Sequence, residues 1–418
     1  MSNTADRCAT VTLWFSLFAF GCADSSPGSG DRFEFRDSLG VEIVDNGFPL
    51  LDGARRWTVS SDPDLQIGAV EGDDPYLFTS IWDAVRAPDG RVVVADGRDY
   101  DIRVFGADGV HQTSFGQQGD GPNDFGGPPW LALAGNDTLV VWDPGHYRLS
   151  WFGLDGSLFR QVSLQPTISS LSITRFVNGL VWETASDGGL LWTGPGDLRR
   201  AEDGLNDSMR SFVLIDNEGT AIHDFGTFPW GQTFATRRAD GVAIGIGNPF
   251  APSTAGALGP SPHRFAVASN DAWDIRLYEA SGELTRILRA SIARRAVTND
   301  MVAVERDSLP RLALGMGLTL GETERAFDQI PVPDSLPPIA ALYWDALGDL
   351  WVGRRAGRIR SEREYDVFDS SGRWQTTVQV PDDMGRIHEI GARYILATWY
   401  DSLGVAYLRV YGINKPAG

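Results

Sequence analysis

Val104-Phe105-Gly106-Ala107-Asp108-Gly109 is the phrase that decides the fold: two apolar residues followed by a turn that ends in glycine. It returns at residue 151 as Trp-Phe-Gly-Leu-Asp-Gly, and weaker copies begin at residues 214, 277, 367 and 410. An Asp-Gly turn between apolar runs is typical of a β-hairpin. The six copies start 47, 63, 63, 90 and 43 residues apart, a spacing that predicts sheets of four short strands with insertions in some loops.

The two ends of the chain complement each other. The last repeat ends one strand short of four, after Val405–Tyr411. Near the other end, the pattern of Ile67, Gly68, Gly72 and Phe78 parallels that of residues 115–125, which follow the fourth strand of the first repeat. We therefore expect the N-terminal segment to complete the last sheet, which would leave no open edge.

These features resemble bacterial exported six-bladed β-propellers of the NHL-repeat type. The link at residues 115–125 is similar to the repeat's Gly-rich connection, residues 37–46 resemble the leader of exported members, and Asp349-Leu350-Trp351-Val352 resembles a later strand. The resemblance covers roughly residues 37–415. It implies an all-β, six-bladed β-propeller over residues 37–418, closed by an N-terminal strand. It says little about activity, because such propellers include scaffolds, sensors and a few lyases and hydrolases.

Composition excludes some function classes. The chain has 418 residues, of which 36 are basic and 55 acidic, giving a net charge of −19. Such a surface does not suit a phosphate backbone, so no nucleic-acid partner is expected. The two cysteines, Cys8 and Cys22, both precede the repeats. The domain must therefore be held by its apolar core, without a disulfide.

The first 36 residues predict export. Residues 1–21 read as a signal peptide, since the apolar run Ala9–Phe20 is too short to span a bilayer. Ala19-Phe20-Gly21-Cys22 resembles a lipobox, which implies lipid attachment at Cys22, with ordinary cleavage near Gly21 or Ala23 as the alternative. Residues 22–36 form a Ser/Gly/Pro-rich tether. We expect a cell-envelope lipoprotein bound to the membrane by this anchor alone, or else a soluble secreted or periplasmic protein.

The long fifth repeat contains an insertion at about residues 291–338. Residues 297–307 have a helical pattern, and four prolines between residues 331 and 338 lead the chain back. We expect a small helical insertion over one face, which is either decoration or a contact surface for an assembly.

Motifs for catalysis are missing from the sequence. It contains no Gly-x-Ser-x-Gly, His-Glu-x-x-His or P-loop pattern. The acidic loop of Asp96, Asp99 and Asp101 lacks the ligand order of an EF-hand and reads as a solvated turn. No catalytic residue, metal or cofactor is therefore assigned.

A candidate anion site comes from aligning the repeats on the turn after their first strand. The turn glycines are Gly90, Gly179, Gly241 and Gly348, and four residues before them stand Arg86, Arg175, Arg237 and Trp344. The other two repeats lack this glycine, and matching of their strands places Leu133 and His388 at the equivalent positions. First strands line a propeller's channel, and guanidinium groups bind carboxylate or phosphate. The alternative is that each arginine pairs with a neighbouring acid or a backbone carbonyl.

Three tryptophans are candidates for stacking on a ligand: Trp130, Trp230 and Trp344. Exposed aromatic rings on one face could bind a sugar or an aromatic group. Packing between the blades is the alternative for each.

Together these features favour a non-enzymatic, monomeric propeller that binds a ligand or a protein at the cell envelope. The expected partner is an envelope protein or an anionic or sugar ligand. A lyase or hydrolase with its site at the channel mouth is the alternative, and a subunit of a surface assembly is a third possibility.

Overall fold

The computed structural model describes residues 32–170, 180–184, 189–194, 203–237, 243–260, 264–270, 272–356 and 362–416, with the backbone alone at 180–184, 236–237 and 243–244. Residues Arg32–Gly418 form one compact unit. The described chain is all-β, with strands far outnumbering helices. Within it, no helix has both the length and the apolar composition needed to cross a bilayer.

The N-terminal strands join sheets that the later chain builds. They are β1 (Phe33–Ser38), β2 (Val41–Asn46), β3 (Thr58–Val59) and β4 (Leu65–Ile67). Single 3-10 turns lie at Gly53–Arg55 and Asp74–Tyr76. Strand β1 begins within the stretch that the sequence assigned to the tether.

The next part of the chain forms three sheets in succession. The first contains β5 (Ile81–Arg86), β6 (Val92–Asp96), β7 (Ile102–Phe105) and β8 (His111–Phe115). The second contains β9 (Trp130–Ala134), β10 (Thr138–Asp143), β11 (Arg148–Gly153) and β12 (Leu158–Ser163), and is followed by α1 (Gln165–Ser170). The third contains β13 (Leu180–Thr184), β14 (Leu190–Gly194), β15 (Gly204–Ile215), β16 (Ala221–Arg237) and β17 (Ala243–Gly247).

Three more sheets follow. The fourth contains β18 (Ala255–Leu258), β19 (Arg264–Ala268), β20 (Asp274–Glu279) and β21 (Leu284–Ala290), extended by β2 and then β1. Helices α2 (Asn299–Asp307), α3 (Leu309–Met316) and α4 (Leu320–Phe327) come next. The fifth contains β22 (Ile339–Trp344), β23 (Leu350–Arg354), β24 (Glu364–Phe368) and β25 (Trp374–Gln379). The sixth contains β26 (Ile387–Ile390), β27 (Tyr394–Tyr400) and β28 (Ala406–Asn414), and β28 also pairs with β3 and β4.

Burial along the strands explains how the sheets pack. Strand β6 is buried at every residue, because apolar neighbours cover both of its faces. Strand β8, at the outer edge of the same sheet, alternates between half-buried and exposed residues. Gly109 makes the sharp turn between β7 and β8 with a φ of 80°, which glycine adopts without strain. The repeated phrase therefore marks the hairpin between the third and fourth strands of a sheet.

Six clusters of buried apolar side chains each lie between two sheets. Val93 and Val104 of the first sheet pack with Leu139 and Phe152 of the second. The other five join the second sheet to the third, the third to the fourth, the fourth to the fifth, the fifth to the sixth, and the sixth to the first. Neighbouring sheets therefore pack face to face through the buried apolar side chains of their strands.

The third sheet differs from the sequence expectation. Gly241 was assigned to the first hairpin of the next repeat, with Arg237 on its first strand. Instead, β16 continues through Arg237 and pairs with β17 in an extension of the third sheet. The edge strand of the fourth sheet is β18. That alignment is wrong because the β16–β17 hairpin has the same apolar-turn-apolar pattern as the first hairpin of a repeat.

The insertion forms three short helices, which we call the helical lobe (residues 297–330). Thr298 caps α2 by accepting a hydrogen bond from the Met301 backbone N–H at 3.3 Å. Thr319 and Glu322 form a capping box at the start of α4. Leu309 and Phe327 of the lobe pack on Ile246 of the extended third sheet. The lobe lies in the connection between the fourth and fifth sheets.

Candidate functional site

A cleft of about 390 Å³ lies where the segments that lead to and from the helical lobe meet the fifth sheet. Pro337 and Pro338 form part of one wall. Four of the lining side chains are arginines: Arg295, Arg354, Arg355 and Arg363. We call this the arginine cleft.

Two of these arginines are fixed by the protein. Arg354, at the end of β23, forms two hydrogen bonds of 2.7 Å with the buried carboxylate of Asp366. Burial acts to lower the pKa of Arg354, but these bonds and the charge of Asp366 raise it overall. Arg355 donates to the carbonyl oxygen of Pro249 at 2.7 Å, and burial lowers its pKa. Both guanidinium groups are therefore positioned before any ligand binds.

The other two arginines retain guanidinium N–H donors for a ligand. Arg363 donates from Nη1 to the carbonyl oxygens of Glu362 and Met384, at 3.0 and 3.2 Å. Its Nε lies 3.9 Å from the exposed carboxylate of Asp382, too far for a hydrogen bond. The side chain of Arg295 is exposed on the segment that leads to the lobe. A guanidinium has five N–H donors, so both residues retain donors that can reach an anion.

The charge of the cleft contrasts with that of the protein. Among the described residues, its lining has four guanidinium groups and two carboxylates, Glu364 and Asp382, in a chain of net charge −19. A cleft in which positive charges outnumber negative ones attracts anions. Arginine also matches the planar geometry of carboxylate and phosphate. The arrangement suits recognition of an anion.

Sequence reasoning missed the cleft, although a signal was present. Residues 354–363 read Arg-Arg-Ala-Gly-Arg-Ile-Arg-Ser-Glu-Arg, with five arginines in ten positions. Only 36 of the 418 residues are basic, so this density stands out. Alignment on the first strands directed attention elsewhere, because these arginines follow a second strand.

Arg86 and His388 both belong to a group that we call the inner polar cluster: Asp83, Arg86, His388, Glu389, Tyr394 and Thr398. Arg86 ends β5, and its guanidinium lies 4.6 Å from the ring centre of Tyr394. Glu389 accepts hydrogen bonds from the Arg86 backbone N–H at 2.8 Å and from the Tyr394 hydroxyl. Burial raises the pKa of Glu389, although these two bonds act to lower it. Arg86 is thus part of the contact between the first and sixth sheets.

His388 lies at a bulge in β26, between Asp83 and Thr398. Its Nδ1 is 3.3 Å from an Asp83 carboxylate oxygen, and its Nε2 is 2.7 Å from the Thr398 hydroxyl. This hydroxyl–imidazole–carboxylate order is that of a hydrolytic triad. However, the His388 side chain is 0% exposed and Thr398 is 1% exposed. A substrate has no access to this hydroxyl, so the group stabilises the contact between the sheets.

The expected anion site also includes Arg175 and Arg237. Arg175 lies outside the described residues. The backbone of Arg237 pairs with Ala243 at the far end of β16, rather than on a first strand. The expected ring of equivalent positions therefore does not include Arg237.

The three candidate tryptophans lie in different sheets. Trp130 begins β9 and packs edge-on against Trp82, with ring centres 5.5 Å apart. Trp344 ends β22 and donates from its indole N–H to the carbonyl oxygen of Ala257 at 3.3 Å. Trp230 in β16 stacks 3.8 Å from the guanidinium of Arg210. Each ring has a partner within the protein, and Trp130 and Trp344 occupy opposite ends of their first strands.

The acidic loop of the first sheet is organised by an arginine. Arg103 donates to Asp101 at 2.9 Å and lies 3.5 Å from Asp99. The carboxylate of Asp96 is buried and accepts the backbone N–H groups of Thr79 and Arg98. These bonds fix the turn and use the carboxylates that sequence reasoning placed in solvent.

The corresponding turn of the second sheet contains a histidine. His146 contacts Asp143 through Nδ1 at 2.6 Å and the exposed Asp120 through Nε2 at 3.1 Å. The bond to Asp120, followed by that to Asp143, raises the pKa of His146. These contacts fasten the link between the first two sheets to the β10–β11 turn.

Comparison with known proteins adds little to this picture. No protein-family model and no curated protein matches the chain. Among solved structures, it is similar to a member of the DUF4221 family from Bacteroides vulgatus, at 10% identity over 87% of this chain and 100% of that one, with a TM-score of 0.45. It is also similar to virginiamycin B lyase from Staphylococcus aureus, at 10% identity over 86% and 99%, with a TM-score of 0.37. A calcium-binding regucalcin from Agrobacterium tumefaciens matches at 14% identity over 82% and 94%, with a TM-score of 0.36. Because the identities and TM-scores are this low, these structures support no inference about the function of this chain.

Proposed function

We propose that the protein is a non-enzymatic binding propeller of the cell envelope and that the arginine cleft holds an anionic ligand. The single observation that carries this proposal is the group of four arginines around a cavity of about 390 Å³ in an acidic protein. A pocket of this volume accommodates a small organic anion. Because guanidinium groups stay protonated, they recognise charge without supplying a general base.

The scaffold in this proposal is a six-bladed propeller closed by an N-terminal strand. The six sheets and the six apolar clusters, which link each sheet to the next and the last to the first, support it. Strand β4 pairs with β28 over Leu65–Ile67 and so adds an N-terminal strand to the last sheet. A closed ring would fix the fifth sheet and hence Arg354 and Arg363 on a rigid frame.

The chemistry of the cleft favours a carboxylate or phosphate ligand, including an acidic sugar. Arg354 and Arg355 are held in place, while Arg363 and Arg295 have donors left for the ligand. Residues 1–21 act as the signal peptide and Cys22 as the lipid attachment site. The protein then binds its ligand as a monomer at the membrane surface.

Ligand-induced stabilisation tests this function. The probes are inorganic phosphate, citrate and glucuronate, added to the segment Ala23–Gly418. A ligand that binds only the folded state at about 100 times its Kd stabilises it by about 2.7 kcal/mol. We expect at least one probe to raise the Tm by several degrees, and less so at high salt.

Variants of the two arginines with free donors locate the site. Arg295→Gln combined with Arg363→Gln should abolish the rise in Tm. Arg264→Gln combined with Arg276→Gln removes two exposed arginines of the fourth sheet and should leave it intact. An equal rise in all three proteins, or none with any probe in the wild type, would contradict an anion site in the cleft.

A further inference from the structure

The helical lobe has an apolar end that is exposed in the part of the chain that the structure describes. Residues 312–321, from the last turn of α3 to the start of α4, read Leu-Ala-Leu-Gly-Met-Gly-Leu-Thr-Leu-Gly and contain no charge. Leu314 is 83% exposed, and Leu312, Met316 and Leu320 are also exposed. We call residues 312–321 the lobe tip.

The lobe tip is held rigid by the helices behind it. Helix α3 ends at Gly317, which has a left-handed φ of 64°, and the capping box of Thr319 and Glu322 starts α4. The opposite side of the same helices is anchored by Leu309 and Phe327 in the apolar cluster with the third sheet. Leu314 and Met316 are thus kept in water by a folded turn, a costly arrangement for apolar side chains with no partner.

The start of the domain lies beside the segment that leads to the lobe. In the fourth sheet, Phe33 of β1 pairs with Asn46 of β2, and Asn46 pairs with Ala290 of β21. The carbonyl oxygen of Arg32 accepts from the Gly47 backbone N–H at 3.0 Å, and that of Asn46 accepts from Ser291 at 3.1 Å. The chain therefore enters the domain at the same end of the same sheet from which it departs for the lobe.

The length of chain before Arg32 limits the distance to the proposed anchor. Arg32 lies ten positions after Cys22, and ten residue steps span at most about 35 Å when fully extended. An acyl chain on Cys22 would thus keep the entry point of the fourth sheet, and the start of the segment that leads to the lobe, close to the membrane surface. A single lipid chain binds only reversibly, so a second contact strengthens the attachment.

We infer that the lobe tip inserts its exposed apolar side chains into the bilayer in which the Cys22 anchor lies. This inference rests on the lipid attachment proposed above. A bilayer interface accepts protruding apolar side chains without a matching groove, and the lobe tip is uncharged over residues 312–321. Because the net charge is −19, zwitterionic lipid is favoured over anionic lipid. The tether raises the effective concentration of the tip at the membrane, so a few side chains suffice.

Vesicle flotation of the segment Ala23–Gly418 tests the tip without the anchor. This segment contains all of the compact unit Arg32–Gly418 and each of the seven apolar clusters, so it folds independently. We expect the wild type to float with phosphatidylcholine–phosphatidylethanolamine vesicles. Leu314→Ser combined with Met316→Ser should reduce the bound fraction roughly tenfold. Leu347→Ser combined with Leu403→Ser, at exposed leucines of two other turns, should not reduce it.

A fluorescent label provides a second measurement. The segment from Ala23 on has no cysteine, so Leu314→Cys creates a single attachment site for an environment-sensitive dye. The emission should shift to shorter wavelength when vesicles are added, and a dye at Leu403→Cys should not shift. Equal flotation of the tip and control variants, or an unshifted dye at position 314, overturns the inference. So does a stable dimer of the wild type that the tip variant abolishes.

The outcomes for the tip and for the proposed function are separable. The tip variant should retain the anion-induced rise in Tm, since Leu314 and Met316 do not line the arginine cleft. Mass spectrometry of Cys22 from the full chain reports lipid attachment directly. If the full chain is lipidated and wild-type Ala23–Gly418 binds an anion but does not float with vesicles, the membrane contact alone is contradicted.

Discussion

The inner polar cluster and the arginine cleft both place charged side chains between neighbouring parts of the fold, but their charges face different surroundings. In the inner polar cluster, Glu389 accepts from Arg86 and Tyr394, and His388 lies between Asp83 and Thr398. In the arginine cleft, Arg363 and Arg295 border a cavity of about 390 Å³. The polar groups of the inner cluster are buried or half-buried and bonded to one another, whereas those of the cleft border a cavity.

This difference separates a structural role from a binding role. Buried polar groups are costly unless paired, so a closed network specifies which strands meet and in what register. An open guanidinium contributes little to stability, because water hydrates it well, but it can exchange that water for an anion. The side chains at His388 are arranged in the order of a catalytic triad, yet they are buried. The types of side chain present therefore do not show whether a polar group is structural or functional.

The largest expected effect is the loss of Glu389. Glu389→Ala removes the acceptor of the Arg86 backbone N–H in the contact between the first and sixth sheets. It also leaves the Tyr394 hydroxyl with only the distant carbonyl oxygen of Arg86, at 3.5 Å. We expect the free energy of unfolding to fall by about 2–4 kcal/mol, as measured by urea denaturation. Glu283→Ala, at an exposed turn residue, is the matched control and should change it by less than about 0.5 kcal/mol. Equal effects of the two variants would show that the inner cluster does not hold the sheets together.

Two buried threonines give a sharper comparison of intermediate size. The Thr398 hydroxyl lies 2.7 Å from His388 Nε2, whereas the equally buried Thr376 hydroxyl has no hydrogen-bond partner among the described residues. Thr398→Val should lower the free energy of unfolding by about 1–2 kcal/mol, because it removes the buried hydrogen bond between the Thr398 hydroxyl and His388 Nε2. Thr376→Val should be neutral or stabilising. Urea titrations of both variants check this order, and the reverse order would contradict it.

The smallest effect on stability is expected in the cleft. Arg363→Gln removes a partly exposed side chain whose nearest carboxylate, that of Asp382, is itself exposed. The free energy of unfolding should change by less than about 0.5 kcal/mol. Arg354→Gln is the contrasting variant within the same cleft, since it breaks the paired bonds to buried Asp366 and should destabilise more. A destabilisation by Arg363→Gln as large as that by Arg354→Gln would assign both residues to the framework.

Much of the architecture could be predicted because hairpins are local. The recurring Asp-Gly phrase marks turns that depend only on neighbouring residues, and the helices at 299–327 fall inside the predicted insertion. The alignment failed at Arg237, where a long hairpin extends the third sheet. Its length depends on packing against Leu309 and Phe327 of the lobe, residues more than 70 positions away.

The candidate site was harder to predict than the fold. Arg354 and Arg363 are close in sequence, but the cleft exists only because the segments around residues 293 and 337 return to the same end of the fifth sheet. The roles of Arg86 and His388 depend on partners about 300 positions away, Glu389 and Asp83. The residue types identify the charged side chains. Only the tertiary structure determines which of these side chains are accessible to a ligand.

The pairing of β28 with β3 and β4 also has a consequence for biosynthesis. Residues 58–67 leave the ribosome well before their partners, Leu408–Asn414. The sixth sheet therefore cannot be completed until residue 414 has emerged. A truncated product, with β4 unpaired and the cluster around Ile67 and Leu408 exposed, would present an apolar edge to chaperones and proteases.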